Sequence, residues 1–489
     1  MLLIVLVVVV LLALGAYTFS ETMISEYEAS TMYGREVQTR ALADSGVEYA
    51  ATVLGRQAEM PYETFYDRPD LFRGVIVRPS DRSRGRGRFS IVTSVESDVQ
   101  ARSLRFGFVN ESAKLNLNTI SVWQRDDKLD DDQSRNFLLH LPGMSYEIAD
   151  AILDWLDDDE LPRRYGAESE YYQRLDSPYF AGNGPLQSLD ELLLVRGATP
   201  GLLYGEDLNC NGLLEPGEDD GDGVLRRGWE TRLTLFSREA NRRSDGRPKI
   251  NLNQPSIDKL IDEVSNEFGD DVAAFIAAVR LESQDEAAAV QPDANQIDPD
   301  VPIEGKSRIK SVYDLIDVEV AASESNGPAM RSPFSSDSSR LKQYLPRLLD
   351  VLSPHGRPFI AGRVNINTAP REVLLGIPGM TESLADAIVA RQARLSTGEP
   401  SAAVLASHAT TAWLLLEELV DLAQMRQLDR YITGRGDVYR VQSLGYYDAG
   451  GPFTRLESVI DASVRPPKVV LLRDLTEFGR GYHFPIADE

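Results

Sequence analysis

The first nineteen residues, MLLIVLVVVVLLALGAYTF, carry no charged side chain. An apolar run of about 20 residues is long enough to cross a bilayer as a helix, the form that satisfies every backbone polar group within the segment. An uncleaved membrane anchor is therefore expected. A cleavable secretory signal is the competing reading, but the run has no basic start and no small-x-small site before Glu21. Ile24, Tyr27, Val37, Leu42, Val47 and Leu54 then recur among polar residues with no proline, so the helix is expected to continue, amphipathic, to about Gln57.

A chain of 489 residues is too long for one ordinary core, and two to four domains are expected. The 51 basic and 76 acidic residues leave a net charge of −25, which repels nucleic acid and anionic lipid at long range. Cys210 is the one cysteine, so no intramolecular disulfide can form and any staple must be of another kind.

Strand-forming runs, "LFRGVIVRP", "GRFSIVTSV" and "SLRFGFV", follow the helix, and "DVYRVQSLGYYDAGGPFTRLESVIDASV" and "KVVLLRDL" return near the end. Between the first two, "SDRSRGRGR" reads as a solvated hairpin loop rather than an RNA-binding stretch. Three related segments lie between the strand groups: "KLNLNT" from Lys114, "KINLNQ" from Lys249 and "RVNINT" from Arg363. The first and third lead to "LPGMSYEIADAILDWL" and "IPGMTESLADAIVARQ", each read as a helix, a Pro-Gly turn and a second helix, a helix-hairpin-helix unit. The middle copy leads to a helical pair without that Pro-Gly turn, and then to a Pro, Asp and Gln-rich connection over 283–307. The predicted fold is α+β: a long N-terminal membrane helix, an antiparallel sheet built from both chain ends, and a large inserted α-helical domain with helix-hairpin-helix (SAM-like) repeats.

The stretch "EDLNCNGLLEPGEDDGDG" matches the calcium-loop pattern, with Asp207, Asn209, Asn211, Gly212 and Glu218 at positions 1, 3, 5, 6 and 12. Ca²⁺ takes six to eight oxygens, and alternate residues of a tightly curled loop point theirs inward. Leu213 would add its carbonyl and Glu215 a direct or water-mediated oxygen. The bland reading is an acidic surface loop organised by Asx turns. Glu218, Asp220, Asp222 and Gly223 repeat the spacing, but Trp229 stands where a closing carboxylate belongs, so a second ion stays open. Weak flanking helices make a structural clip the expectation, not a sensor.

Helix-hairpin-helix units commonly present backbone N–H groups to a phosphate. Here Ser145 and Thr381 replace the second glycine, and "DDKLDDD" and "DWLDDDE" put five carboxylates into seven residues on either side of the first unit. Nucleic acid is accordingly not expected as a partner. No enzyme is expected either: the four histidines form no H-E-x-x-H, "IEGKS" lacks the first glycine of a phosphate loop, and no G-x-S-x-G occurs.

"LNLNT", "LPGM", "DWLDDDE", "GAESEYYQRLDSPYFAGNGPLQSLDELLLVRGATPGLL" and "VNINTAPREVLLGIPGM" together resemble the general secretion pathway protein K family, the large minor pseudopilins of type II secretion systems. The resemblance covers most of residues 100 to 400. It implies a single inner-membrane helix, a pseudopilin sheet and inserted α-domain in the periplasm, bound calcium, and assembly with I-type and J-type minor pseudopilins and inner-membrane secretion components at a pseudopilus tip, in support of export of folded proteins. Two departures stand out. No basic leader precedes the apolar run, so either no prepilin-type processing occurs or the start lies upstream, and no glutamate occurs before Glu21. The latter is shared by K-type subunits and fits a tip position. The Asp207 loop is longer than the family pattern, so the family's calcium ligands are not carried onto it. The expected division is 1–20 transmembrane helix, 21–60 its amphipathic continuation, 61–111 strands, 112–235 first helical domain with the calcium loop, 236–362 second repeat and linker, 363–432 third repeat, 433–475 C-terminal strands and 476–489 tail. The alternatives are a periplasmic, competence-type DNA-binding protein and a type IV pilus minor pilin or adhesin.

Overall fold

The computed structural model describes residues 1–56, 65–95, 98, 101–281, 308–320, 329–396 and 402–483. The linker expected over 283–307, "IEGKS" included, and the last six residues of the tail lie outside them.

Leu2–Gly55 is one helix, about 81 Å long at 1.5 Å per residue. Its apolar window has a mean hydropathy of 2.9 and no buried residue. From Thr39 onward one face is buried through Thr39, Leu42, Ala43, Gly46, Val47, Ala50 and Leu54, the three- and four-residue spacing of a helix laid on a core. The expected amphipathic stripe therefore splits. Leu42, Val47 and Leu54 are buried, whereas Ile24, Tyr27 and Val37 are exposed, because the sheet reaches only the C-terminal part of the helix.

That sheet runs Val75–Arg78, Gly87–Ile91, Val438–Tyr447, Thr454–Asp461, Lys468–Asp474, with the short strand Val109–Asn110 also paired to Val438–Tyr447. Every neighbouring pair is antiparallel. Both chain ends thus build one sheet around an insert. Leu71 and Phe72, expected in a strand, belong instead to a helical turn, Pro69–Phe72, since proline at the first helical position presets its φ. Side chains alternate across the central strand. Tyr439 and Val441 join Phe65, Phe72, Phe89 and Phe108 beneath the helix. Arg440 and Gln442 point the other way, to Glu111, Glu457 and the carbonyl of Cys210. Gly445 allows the helix its close approach: a Cβ there would lie 2.3 Å from the Thr39 carbonyl oxygen.

The insert is a threefold repeat at atomic detail. Each copy opens on a two-residue strand that pairs in parallel with one closing the unit: Leu115–Asn116 with Leu233–Thr234, Ile250–Asn251 with Leu352–Ser353, and Val364–Asn365 with Ile432–Thr433. The first asparagine side chain of each accepts the N–H two residues on, at Asn118, Asn253 and Asn367. Those second asparagines donate to the carbonyls of Leu186, Ile309 and His408. The leading Lys114, Lys249 and Arg363 each reach a carbonyl three residues before the closing strand, at Glu230, Leu349 and Asp429. One sequence pattern, basic-apolar-Asn-x-Asn, thus closes three loops in the same way.

Units one and three also share a helix, a Pro-Gly turn and a helix. Asp131–Leu139 and Tyr146–Leu156 flank Gly143, and Arg371–Leu375 and Glu382–Ser396 flank Gly379, both glycines having positive φ. In the middle unit Gly269, at φ +92°, joins Ile257–Phe268 to Asp270–Leu281 and does the work of the missing Pro-Gly turn. The shared Ala-Asp-Ala pairs each time with an arginine on the preceding helix: Asp150 with Arg135, buried, and Asp386 with Arg371, exposed.

Candidate functional site

Asp207, Asn209, Asn211, Leu213, Glu215 and Glu218 form a curled loop held by its own side chains. The two Asp207 oxygens accept from the N–H groups of Asn211 (3.0 Å) and Gly212 (2.7 Å). Asn209 Oδ1 accepts from Asn211 N–H, and Asn211 Oδ1 from Leu213 N–H. Glu218 closes the loop by accepting from the N–H groups of Asn209 and Glu215, at 3.2 and 3.3 Å. Glu215 accepts the Asn211 side-chain amide at 2.9 Å. Gly212 needs its positive φ, and a Cβ there would meet Ser94 Oγ at 2.1 Å. Burial pushes the Asp207 carboxyl up to about 6, against the opposing pull of the Gly212 and Asn211 N–H groups. The loop has the curl of a calcium site, but its carboxylates Asp207, Glu215 and Glu218 are not among the acidic groups whose oxygens converge within 4.8 Å. In these positions they accept backbone and amide hydrogens.

The loop belongs to the sheet as much as to the insert. Gln442 donates to the Cys210 carbonyl at 2.8 Å, buried Arg455 donates to the Asn209 carbonyl, and Asn211 donates to the Gly481 carbonyl at 2.8 Å. The Cys210 thiol, pushed up to about 12 chiefly by burial, is not poised for thiolate chemistry. Downstream, Asp220 and Asp222 are exposed and both bind Arg226 at 2.8 Å. It is Asp219, not Glu218, whose oxygens gather with theirs. Trp229 is buried and donates to the Pro142 carbonyl, so the place of a closing ligand is taken by a core residue.

A second acidic group converges where sequence reasoning assigned no metal. Asp154, Asp157 and Glu168 bring carboxylate oxygens within 4.8 Å of one another. Asp154 lies in the last turn of the helix Tyr146–Leu156, and Asp157, its C-cap, follows three residues further on. Glu168 returns from the next loop. Arg163 binds Asp154 at 2.7 Å and Asp157 at 2.5 Å, leaving one guanidinium to face three acids. Glu168 is 3% exposed, and neither of its oxygens, nor Asp157 Oδ1, has a hydrogen-bond partner. Burial first, then the neighbouring carboxylates, pushes Glu168 up to about 8, while burial, against the pull of Arg163, raises Asp154 to about 6 and also raises Asp157. A Cβ at Gly166 would lie 1.8 Å from Asp154 Oδ2, so glycine leaves the room this pocket occupies. Buried carboxylate oxygens without donors are costly unless protonated or bound to a cation. The signal was in the sequence as the acids of "DWLDDDE" and the glutamate of "GAE", which pattern-matching to a single contiguous loop could not join.

Residues 113–204, the stretch that carries this pocket, match the family model described as type II secretion system (T2SS), protein K. Type II secretion system protein K of Aeromonas hydrophila is 39% identical over 97 residues, covering 17% of this chain and 29% of that protein. The Klebsiella pneumoniae protein of the same name is 41% identical over 56 residues, covering 12% and 17%. The chain thus spans less than a third of the length of these curated relatives. A chain of the GspK-GspI-GspJ complex from the enterotoxigenic Escherichia coli type 2 secretion system aligns over 92% of this chain and 99% of its own length, at 10% identity and a TM-score of 0.37. Through residues 113–204 the chain resembles in sequence the type II secretion system protein K family.

Proposed function

We propose that this chain is a K-type minor pseudopilin: a non-enzymatic subunit anchored in the inner membrane by its N-terminal helix, with its bulk in the periplasm, assembling with I-type and J-type partners at a pseudopilus tip during export of folded proteins. The observation that carries the reading is the family match over 113–204. The architecture supports it, because an exposed apolar half-helix continues into a packed half beneath a sheet. An insert occupying 111–437 between sheet strands suits the end of a fibre and would crowd its shaft. The two Pro-Gly-hinged helix pairs are read as helix-hairpin-helix units that serve packing. Ser145 and Thr381 cap the second helices by accepting from Ile148 and Leu384 N–H, so a hydroxyl already occupies the place a phosphate would take.

Calcium is proposed as a structural ion of the insert. The Asp154, Asp157 and Glu168 pocket is the better-formed place for it, and the Asp207–Glu218 loop a second. In the pocket the protein would supply carboxylate oxygens from two segments, and the ion would neutralise acids that Arg163 alone cannot. The experiment that tests the function is purification of the full chain from membranes with its co-expressed neighbours. Recovery of other minor pseudopilins in fixed ratio, and loss of export on deletion, are the expected results. Recovery alone, with duplex DNA retained in a low-salt gel shift, would overturn the reading.

A further inference from the structure

Between the N-terminal helix and the loop joining Val75–Arg78 to Gly87–Ile91 lies a cleft of about 390 Å³, lined by Thr31, Arg35, Gln38, Arg78, Arg84 and Tyr447 among others. Among the described residues, Arg35, Arg78 and Arg84 have no carboxylate within ion-pair distance, whereas the adjacent Arg86 and Arg88 share Asp448 at 3.5 and 2.8 Å. Two of the three are held in place. Arg35 lies over the Tyr447 ring at 5.4 Å and donates to the Arg84 carbonyl at 3.0 Å. Arg78 donates to Gln38 Oε1 at 3.0 Å and to Tyr447 Oη at 3.3 Å, and the Tyr447 hydroxyl donates to Gln38 at 2.5 Å. Tyr447 itself is 2% exposed. In a chain of net charge −25, this is a concentrated, pre-organised cationic island with its counter-charge missing.

We propose that the cleft is a docking site for acidic side chains of a neighbouring subunit, whose carboxylates the three guanidinium groups would clasp. This rests on the assembly reading above. Guanidinium groups match carboxylates bidentately, and their charge-assisted bonds are about twice as strong as neutral ones. Two other anion sources fit less well. Arg35 lies 16 residues beyond Phe19, about 24 Å further along the helix axis, whereas the headgroup layer adds only about 6 Å to each side of the hydrocarbon. A nucleic acid, charged along its whole length, would meet the repulsion of the acidic chain well beyond the cleft, which a few carboxylates seated within it do not. The cleft opens on the same helix whose apolar end is the proposed anchor, so a helix lying alongside in a bundle passes it.

The test uses the full chain in detergent with hexaglutamate as probe, hexaglutamine as control, and inorganic phosphate and phosphatidylglycerol vesicles as competitors. Arg84→Ala is the first variant, since this side chain is exposed and only its carbonyl is used in the fold. Arg78→Gln is the second. Hexaglutamate binding that weakens with salt, falls at least tenfold in each variant and is not displaced by phosphate or vesicles is the expected result. Binding equal in wild type and variants, or displaced equally by phosphate or vesicles, would overturn it. The same variants are carried into membrane co-purification. If wild type recovers partner subunits and both variants recover them undiminished, the cleft proposal fails alone. If wild type recovers no partner, the assembly reading fails, and with it the subunit source of the carboxylate, whatever hexaglutamate does.

Discussion

Asn211 donates its side-chain amide to the carbonyl of Gly481 at 2.8 Å, and the residue is 2% exposed. The middle of the acidic loop is thereby joined to the segment that follows the last strand, across the face of the sheet that carries Gln442 and Arg455. The calcium-like loop is a seam between insert and sheet before it is anything else.

Asn211→Asp keeps Oδ1 as the acceptor of the Leu213 N–H but loses both donated bonds and adds a buried charge. Without calcium, a loss of about 1–3 kcal/mol is expected from urea melting. With millimolar calcium, an acid at position 5 of such a loop is a better ligand, and the loss is expected to shrink. A variant equally unstable with and without calcium would show that the loop is only a seam.

Glu168 supplies the pH prediction. Its carboxyl is held up to about 8 against an ordinary 4.5, chiefly by burial and then by Asp154 and Asp157. The unfolded chain releases this proton near the ordinary value while the folded chain keeps it, so over that interval the folded state binds more protons. Metal-free stability is then fully present below the unfolded value and falls as pH rises from about 4.5 to about 8. Asp154, raised to about 6, adds in the same direction. A bound cation stabilises the ionised acids and opposes the fall. Melting in chelator should decline between pH 5 and 8, decline less in Glu168→Gln, and be raised by calcium most at the upper end. A decline unchanged in Glu168→Gln would remove this residue from the account.

The repeat offers an internal comparison. Asp150 accepts Arg135 Nε at 2.6 Å and the Tyr165 N–H at 3.1 Å, and its side chain is fully buried. Its counterpart Asp386 accepts Arg371 Nε at 2.6 Å, with both partners exposed. Asp150→Asn leaves the buried Arg135 guanidinium with only the exposed carboxylate of Asp132 and is expected to cost about 3–5 kcal/mol. Asp386→Asn breaks a solvent-screened pair, and its denaturation midpoint should stay near wild type. Equal losses in the two would mean that burial does not set the value of this repeated pair.

The features legible in the sequence were those written in contiguous residues. The uncharged opening run, the strands at both ends and the three Asn-x-Asn copies all stood in the order the fold uses, because periodicity and turn residues are local signals. The parallel pairing of Leu115 with Leu233, or Ile250 with Leu352, joins residues more than a hundred positions apart, and no local pattern states it. The same holds for the acid pocket: Asp154 and Glu168 each look like surface acids until the loop between them folds back over Gly166. Ser145 and Thr381 stand in the sequence as departures from a phosphate-binding hairpin, and only the fold makes them caps for the N–H groups of Ile148 and Leu384. Ile24, Tyr27 and Val37 illustrate the converse, an apolar pattern that none of the described residues covers.

The packing of the long helix on the sheet can be tested at one atom. Gly445 on the central strand faces helix backbone, and an added Cβ would stand 2.3 Å from the Thr39 carbonyl oxygen and 2.6 Å from the Ala43 nitrogen. Neither can rotate away, so Gly445→Ala must push the helix off the sheet or bend the strand. It would also strain the bond from Ser443 Oγ to the Ala43 carbonyl and the buried Thr39–Thr454 contact. A loss of about 1–3 kcal/mol, as for overpacked cores, is expected in denaturant melts, with faster proteolysis between Thr39 and Leu54. Gly217→Ala is the control, since a Cβ there meets nothing within 4 Å. If both variants melt alike, the helix is not seated through Gly445, and the close approach of helix to strand does not hold the helix to the body.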